Sequence, residues 1–360
     1  MKKADLLSMN EEELAVFCEA CGEKRFRGAQ LFRWLHAGAD FSEMLNLPAA
    51  FRQTLAERAE ILIPQTEKKF ISALDGTAKY LFRLSDGECV ESVLMRYRYG
   101  LTACLSTQAG CRMGCAFCAS TLGGKTRDLS PSEILGQLLK MQKDSEERIS
   151  HIVLMGIGEP LDNYENVIRF LRLVNAENGL HIGYRQISLS TCGLADQIRR
   201  LADEGLPVTL SVSLHAATDK LRSEIMPVNR KWNISTLLGA CLYYFEKTGR
   251  RISFEYTLIP YKNDSAADAE TLADTLNRYV GRRMPLHINL IPLNGVAETV
   301  FPAGDRKRAT AFAAVLERRG LTATVRRRLG SDINASCGQL RHAARQTGIN
   351  ALKADAEKGG

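Results

Sequence analysis

The chain has no apolar run approaching the roughly 20 residues that a membrane-spanning helix needs. Its start, Met1-Lys-Lys, is basic, but Glu11, Glu12 and Glu13 follow too soon for a secretory apolar segment. The expectation is a cytoplasmic protein without a membrane partner. Cysteine is too sparse for a disulfide scaffold: there are ten in 360 residues, where a scaffold needs roughly 8–10% in a short secreted chain. The composition of disorder is missing too, since hydrophobic residues make up 45% and charged residues 25%, near the globular average. A collagen-like fibre and a coiled-coil rod are excluded on the same grounds. Excess charge is modest, with 48 Lys+Arg against 41 Asp+Glu for a net of +7. At roughly 150 residues per domain, the length suggests two to three domains or one large domain with appendages.

What is present is unevenly distributed. Four of the ten cysteines, Cys104, Cys111, Cys115 and Cys118, fall within fifteen residues. Clustered cytosolic cysteines are read first as metal or redox chemistry rather than as bridges. The other cysteines, taken singly, read as small buried hydrophobes.

Residues 1–62 read as helical, with an apolar stripe of Phe26, Leu31, Phe32, Trp34 and Leu35 interleaved with Lys24, Arg25, Arg27 and Arg33. Such a face is either a solvated side of a small bundle or a nucleic-acid contact. Residues 63–98 carry three short strand-like runs, Phe70–Leu74, Ala78–Leu84 and Cys89–Met95. Asp75-Gly76 and Asp86-Gly87 separate them as turn signals of an antiparallel meander. From residue 99 strands and helices alternate, which predicts a parallel sheet. About six strands are expected, around Thr102–Ser106, Ile152–Met155, Gln186–Ser190, Val208–Ser213, Ile252–Thr257 and His287–Ile291. Ser130-Pro131-Ser132-Glu133 is a helix start with a capping box. Six units suit a partial barrel or a doubly wound sheet, and spacing leaves both open. The expected division is 1–62, 63–98, a core of 99–300, a C-terminal segment of 301–345 and a flexible tail of 346–360.

Cys111-x-x-x-Cys115-x-x-Cys118 offers three thiols, whereas structural zinc takes four ligands. Three thiolates could hold three irons of a 4Fe-4S cluster and leave the fourth open to a ligand. Zinc would need a further ligand such as Cys104 or a histidine. This spacing on a β/α chain resembles the radical S-adenosylmethionine (SAM) superfamily, and Gly156-Ile-Gly158-Glu159-Pro160 after the second strand strengthens the likeness. Further words narrow it: Arg27-Gly-Ala-Gln-Leu-Phe-Arg-Trp, Cys104-Leu-Ser-Thr-Gln-Ala-Gly-Cys111, Leu189-Ser-Thr-Cys-Gly, Ile288-Asn-Leu-Ile-Pro-Leu-Asn294 and Asp332-Ile-Asn-Ala-Ser-Cys337-Gly-Gln-Leu. Over nearly its whole length the chain resembles the RlmN/Cfr family of RNA adenine methyltransferases.

The resemblance implies an α/β fold, a radical SAM partial (β/α)6 barrel with an N-terminal helical and small antiparallel β appendage. It implies that Cys111, Cys115 and Cys118 bind a 4Fe-4S cluster, and that Gly158, Glu159, Ser190, Ser213, Leu214, His215 and Asn294 contact SAM. It implies two SAM molecules. One methylates Cys337, and the other supplies the radical that activates that methyl group for addition to the adenine ring. Cys104 then resolves the adduct through a transient disulfide with Cys337, and either Glu91 or Cys104 takes the ring proton. Taken alone, Glu91 reads as an exposed strand carboxylate. The implied substrate is an adenosine of 23S rRNA, with a tRNA anticodon-loop adenosine as a second one. A flavodoxin- or ferredoxin-like electron donor and a monomeric state come with it.

Two branches share the cysteines, one methylating C2 and the other C8. Pro160 after Gly158-Glu159, Met226-Pro-Val-Asn-Arg-Lys and Val325-Arg-Arg-Arg-Leu-Gly-Ser-Asp favour C2. Departures from the family pattern occur at Lys125, Asp128, Gly295, Asn334 and Ser336. A non-catalytic iron–sulfur RNA-binding protein and a radical SAM enzyme on a small metabolite are the alternatives from other classes.

Overall fold

A computed structural model describes residues 3–294, 301–336 and 338–340. Cys337 and the expected tail therefore lie outside the described residues. Three helices open the chain: α1 (Glu11–Ala20), α2 (Arg27–His36) and α3 (Ala49–Arg58). α1 and α2 approach so closely that a Cβ on Gly28 would stand 2.5 Å from the Ala15 nitrogen. Glutamates take up part of the basic face foreseen here. Arg25 pairs with Glu12 and Glu19, and Arg27 with Glu23. One strand-like feature goes against the all-helical expectation, a two-residue parallel pairing of Ala4–Asp5 with Ala59–Glu60.

The main sheet has ten strands whose spatial order is their chain order. β1 (Gln65–Ile71), β2 (Ala78–Arg83) and β3 (Cys89–Tyr97) are antiparallel. β1 starts and ends earlier than expected because Ser72 begins the turn instead of continuing the strand. Its hydroxyl accepts from the Leu74 and Asp75 N–H groups and donates to Asp332 at 2.6 Å. β3 pairs antiparallel with β4 (Gly100–Cys104), so the meander and the core share one sheet. β4, β5 (Ile149–Leu154), β6 (Ile187–Thr191), β7 (Thr209–Ser213), β8 (Ile252–Leu258) and β9 (Leu286–Pro292) run parallel. These are the six foreseen strands of the partial barrel. A seventh parallel strand, β10 (Ala323–Val325), was not foreseen. Three residues flanked by threonine and arginines carry too little pattern to be seen in sequence.

The crossover helices are α4 (Pro131–Lys143), α5 (Tyr164–Asn175), α6 (Ala195–Asp203), α7 (Asp219–Ile225), α8 (Ile234–Thr248), α9 (Ala266–Tyr279) and α10 (Arg306–Arg318). They cover the sheet with fully buried residues such as Ile134, Phe170, Ile198, Leu237, Leu272 and Leu316. α4 begins as read from sequence: Ser130 and Glu133 exchange hydrogen bonds across the first turn, with Pro131 next to the cap. α8 ends on Gly249 at φ 64°, a left-handed position that glycine occupies without strain. The N-terminal helices and the core bury their apolar residues in one contiguous cluster. No described helix is long and apolar enough to cross a membrane.

A part-buried N-cap serine of this kind is worth about 1 kcal/mol. Replacing Ser130 by Ala should therefore lower the unfolding free energy by about that amount. Urea denaturation followed by far-ultraviolet circular dichroism reads the change, and an unchanged midpoint would contradict it.

Candidate functional site

The cysteine loop is clamped at its base by an antiparallel ladder, Gln108–Gly110 against Lys125–Asp128. Sequence reading saw only loop here. Gly110 has φ 77°, and a Cβ there would stand 1.9 Å from the Gly124 carbonyl oxygen, so no other residue fits. The Cys111 N–H donates to that same carbonyl at 2.9 Å. Further along, the Ala116 N–H donates to Ile225 at the end of α7, and the Ala119 N–H to Gly338 at 2.8 Å. Lys125 and Asp128, two of the departures noted in the sequence, pair with each other at 2.7 Å, and Lys125 also reaches Asp162 at 3.0 Å.

Gln108 joins this ladder to the glycine turn after β5. Its Oε1 accepts from the Glu159 N–H at 2.9 Å, while Nε2 donates to Asp128 at 2.8 Å and to Asp162 at 2.9 Å. Gly158 has φ 107° and lies so close to Gln108 that its missing Cβ would be 2.7 Å from the Gln108 Cβ. Glu159 is thereby aimed across the strand ends. Burial raises its carboxyl above the usual range, and the N–H groups of Cys192 (2.7 Å) and Leu161 (3.0 Å) oppose that rise in part.

Cys111, Cys115, Cys118, Gly158, Glu159, Ser190, Ser213, His215 and Asn294 all line one cavity at the C-terminal ends of the parallel strands, where β/α folds build their sites. Leu214 does not line it. Its side chain is fully buried in the core, and its backbone N–H bonds to Glu255 at 3.0 Å. His215 sits at φ 55°, and its Nδ1 accepts from the Thr257 N–H at 2.9 Å. The neutral ring therefore carries its proton on Nε2, and Phe117 packs edge-on against it at 4.8 Å. Burial, with the nearby Arg222 charge adding to it, pulls the His215 imidazole down to about 3.

Cys104 ends β4 and lines a second cavity. Met155, Ile291, Asn294 and Arg326 face both cavities, so the two adjoin across these side chains. Cys337 is undescribed, but its neighbour Ser336 lines the second cavity and Gly338 the first. Glu91 lines neither. It is 4% exposed rather than an exposed strand carboxylate, and it pairs with Lys79 Nζ at 3.1 Å. Lys79 Nζ also reaches the Asn334 carbonyl at 3.4 Å, three residues before Cys337.

Sequence reading missed four residues of this arrangement. Gln108 is one. Arg222, fully buried, donates to the carbonyls of Cys192 (2.7 Å), Ser213 (3.0 Å) and Leu214 (3.1 Å), lacing together the ends of β6 and β7. Glu255 lines the first cavity and accepts from Asn289 at 2.7 Å, and Arg326 lies 3.6 Å from it. In sequence Arg326 belongs to the Val325-Arg-Arg-Arg word that bears on the choice of branch; in the fold it faces both cavities.

The three thiols suit an iron–sulfur cluster. Burial pushes Cys111 up to about 12, and burial with the other two thiols beside it pushes Cys115 well above its ordinary value. Such thiols become soft thiolate ligands once a cationic centre binds among them, as in an iron–sulfur cluster. Among the described residues no three His, Cys, Asp or Glu close on a single-ion site. A cluster makes no such demand, because each thiolate takes a different iron.

Comparison with known proteins agrees. Residues 105–274 match the Radical SAM superfamily, and residues 4–61 match a ribosomal RNA large subunit methyltransferase N-terminal domain. A protein of Alkaliphilus oremlandii named "Probable dual-specificity RNA methyltransferase RlmN" is 51% identical over 95% of this chain and 98% of its own. The chain belongs to the RlmN family of radical SAM RNA methyltransferases. A Clostridium botulinum (strain Eklund 17B / Type B) relative with the same printed name is 48% identical over 94% of this chain and 96% of its own. The crystal structure of a radical SAM methyltransferase from Sphaerobacter thermophilus superposes with a TM-score of 0.89 at 40% identity, covering 94% of this chain and 99% of that one.

The low His215 value has a signed consequence. Between pH 6.5, the ordinary imidazole value, and about 3, the unfolded chain binds a proton that the folded chain does not. Stability is therefore lost from this group as pH falls through that window. Nitrogen-15 NMR should find His215 neutral and protonated on Nε2 at pH 5. An imidazolium signal at that pH would contradict the placement.

Proposed function

We propose that the chain methylates C2 of an adenosine in 23S rRNA, with a tRNA anticodon-loop adenosine as a second substrate. The observation that carries this reading is the junction of the two cavities. Three thiols line one, Cys104 lines the other, and Met155, Ile291, Asn294 and Arg326 lie between. A methyl-transfer chemistry that needs both a radical source and a thiol pair requires such adjacency.

In this reading Cys111, Cys115 and Cys118 hold the cluster, which with SAM supplies a 5′-deoxyadenosyl radical when bound. Glu159, oriented by two backbone N–H groups, receives the SAM ammonium group. His215 Nε2 and Asn294 offer donors to its polar groups, and Ser190 and Ser213 line the same wall. The Leu214 contribution is through backbone, since its side chain is in the core. Cys337 carries the methyl group as a thioether. That methyl carbon gives up one hydrogen atom, and the adduct formed when the carbon bonds to adenine C2 gives up one electron, both to the bound group. Once the ring has also lost its proton, the Cys104 thiolate attacks the Cys337 sulfur. The sulfur–carbon bond breaks as the disulfide forms, its electron pair takes up a proton on the methylene carbon, and the methylated base leaves. Glu91 is buried against Lys79 and outside both cavities. A base at that position would have to act through Lys79 and the segment it holds, so Cys104 is the better-placed acceptor of the ring proton, which it gives up again before its thiolate attacks.

A monomer reduced by a flavodoxin- or ferredoxin-like donor in the cytoplasm completes the reading. The domain division proposed is the helical accessory part to 62, the meander to 98, the core to 300 and the Cys337 segment beyond. Nucleoside analysis of 23S rRNA from a deletion strain complemented with this gene tests the reaction. The expected product is 2-methyladenosine; 8-methyladenosine would assign the C8 branch, and neither would refute the reading.

A further inference from the structure

Tyr261 is an aromatic residue with 85% of its surface exposed, and its backbone has φ 62°. Glycine takes that left-handed conformation freely, whereas a side chain as bulky as tyrosine adopts it under strain. Strain of this kind persists only where the surroundings impose it, and here they do. The turn after β8 is locked by Asn263. Its Oδ1 accepts from the Ile259 N–H at 2.6 Å, and its Nδ2 donates to the carbonyls of Thr257 and His215, each at 2.8 Å. Both of those residues line the first cavity. Asp264 accepts from the Tyr261 N–H at 3.0 Å and pairs with Arg308 at 2.7 Å. The Arg308 guanidinium lies over the tyrosine ring, 5.1 Å from its centre. Beside it, Arg306 and Lys307 open α10 and are exposed.

The result is an exposed ring on a fixed turn beside a basic helix start, three residues past the end of β8, the strand whose Thr257 lines the first cavity. A base in a single-stranded segment presents a π-face that stacks on such a ring, and its phosphates match exposed cations. We propose that Tyr261 is a stacking platform for an unpaired base that flanks the target adenosine in the RNA substrate. This rests on the RNA reading above and adds a docking subsite to it.

The test uses the full-length, cluster-reconstituted protein without reductant, so that no turnover occurs. The probes are a fluorescein-labelled RNA stem-loop with unpaired adenosines in its loop and a duplex of the same sequence, followed by anisotropy. Tyr261→Phe should bind the stem-loop within about twofold of wild type. Tyr261→Gly should weaken it on the order of tenfold, the scale of one lost stacking contact, without changing the slope of log affinity against log salt. Its melting temperature should not fall, because glycine relieves the backbone strain. A Tyr261→Gly protein that binds the stem-loop as wild type does, or loses the duplex equally, overturns the platform alone. A wild-type chain that binds neither probe counts against the RNA reading itself.

Discussion

Everything at the strand ends depends on holding a thiol-bearing loop in place inside a buried, polar backbone environment, and one side chain does most of this. Gln108 is fully buried, so each of its amide groups must be bonded internally or cost the full desolvation of a lost partner. Its oxygen takes the Glu159 N–H, and its nitrogen divides between Asp128 and Asp162. One residue thereby ties the base of the cysteine loop to the glycine turn that aims Glu159. The glycines follow from it: Gly158 leaves room for the Gln108 side chain, and Gly110 leaves room for the Gly124 carbonyl.

Arg222 plays the corresponding part on the other side. A buried guanidinium is costly unless its donors are satisfied, and here they meet three carbonyls from the ends of β6 and β7 and the Asn229 side chain. Those same strand ends present Ser190, Cys192 and Ser213 to the cavity. The rigidity of the site is thus assembled from side-chain-to-backbone bonds between distant segments, with the barrel supplying only the common direction of the strands.

This explains what could be read in advance. The six parallel strands, the meander turns, the Ser130 cap and the cysteine triad announce themselves locally, through β-branched runs, Asp-Gly pairs, a four-residue cap pattern and a fixed spacing. So did the glycine turn, because its family words are contiguous. The roles of Gln108, Arg222, Glu255 and Arg326 are set by partners that the local sequence does not announce, such as Asp162, 54 positions from Gln108, and Cys192, 30 positions from Arg222. The burial of Glu91 escaped for the same reason, since Lys79 lies on the neighbouring strand. The short ladder around 108 and 125 was missed because glycine, lysine and aspartate are poor strand formers, and its pairing is imposed by the loop it closes.

The central claim is that two thiols from separate segments, Cys104 and Cys337, act on one base at the junction of the cavities. Mass spectrometry of a Cys104→Ala chain, purified from cells and digested with nuclease and protease, tests it most directly. The account predicts a Cys337 peptide carrying either a methyl group or a methylene-linked adenosine, because the resolving thiol is gone. An unmodified Cys337 peptide, with Cys104→Ala still producing methylated RNA, would contradict it.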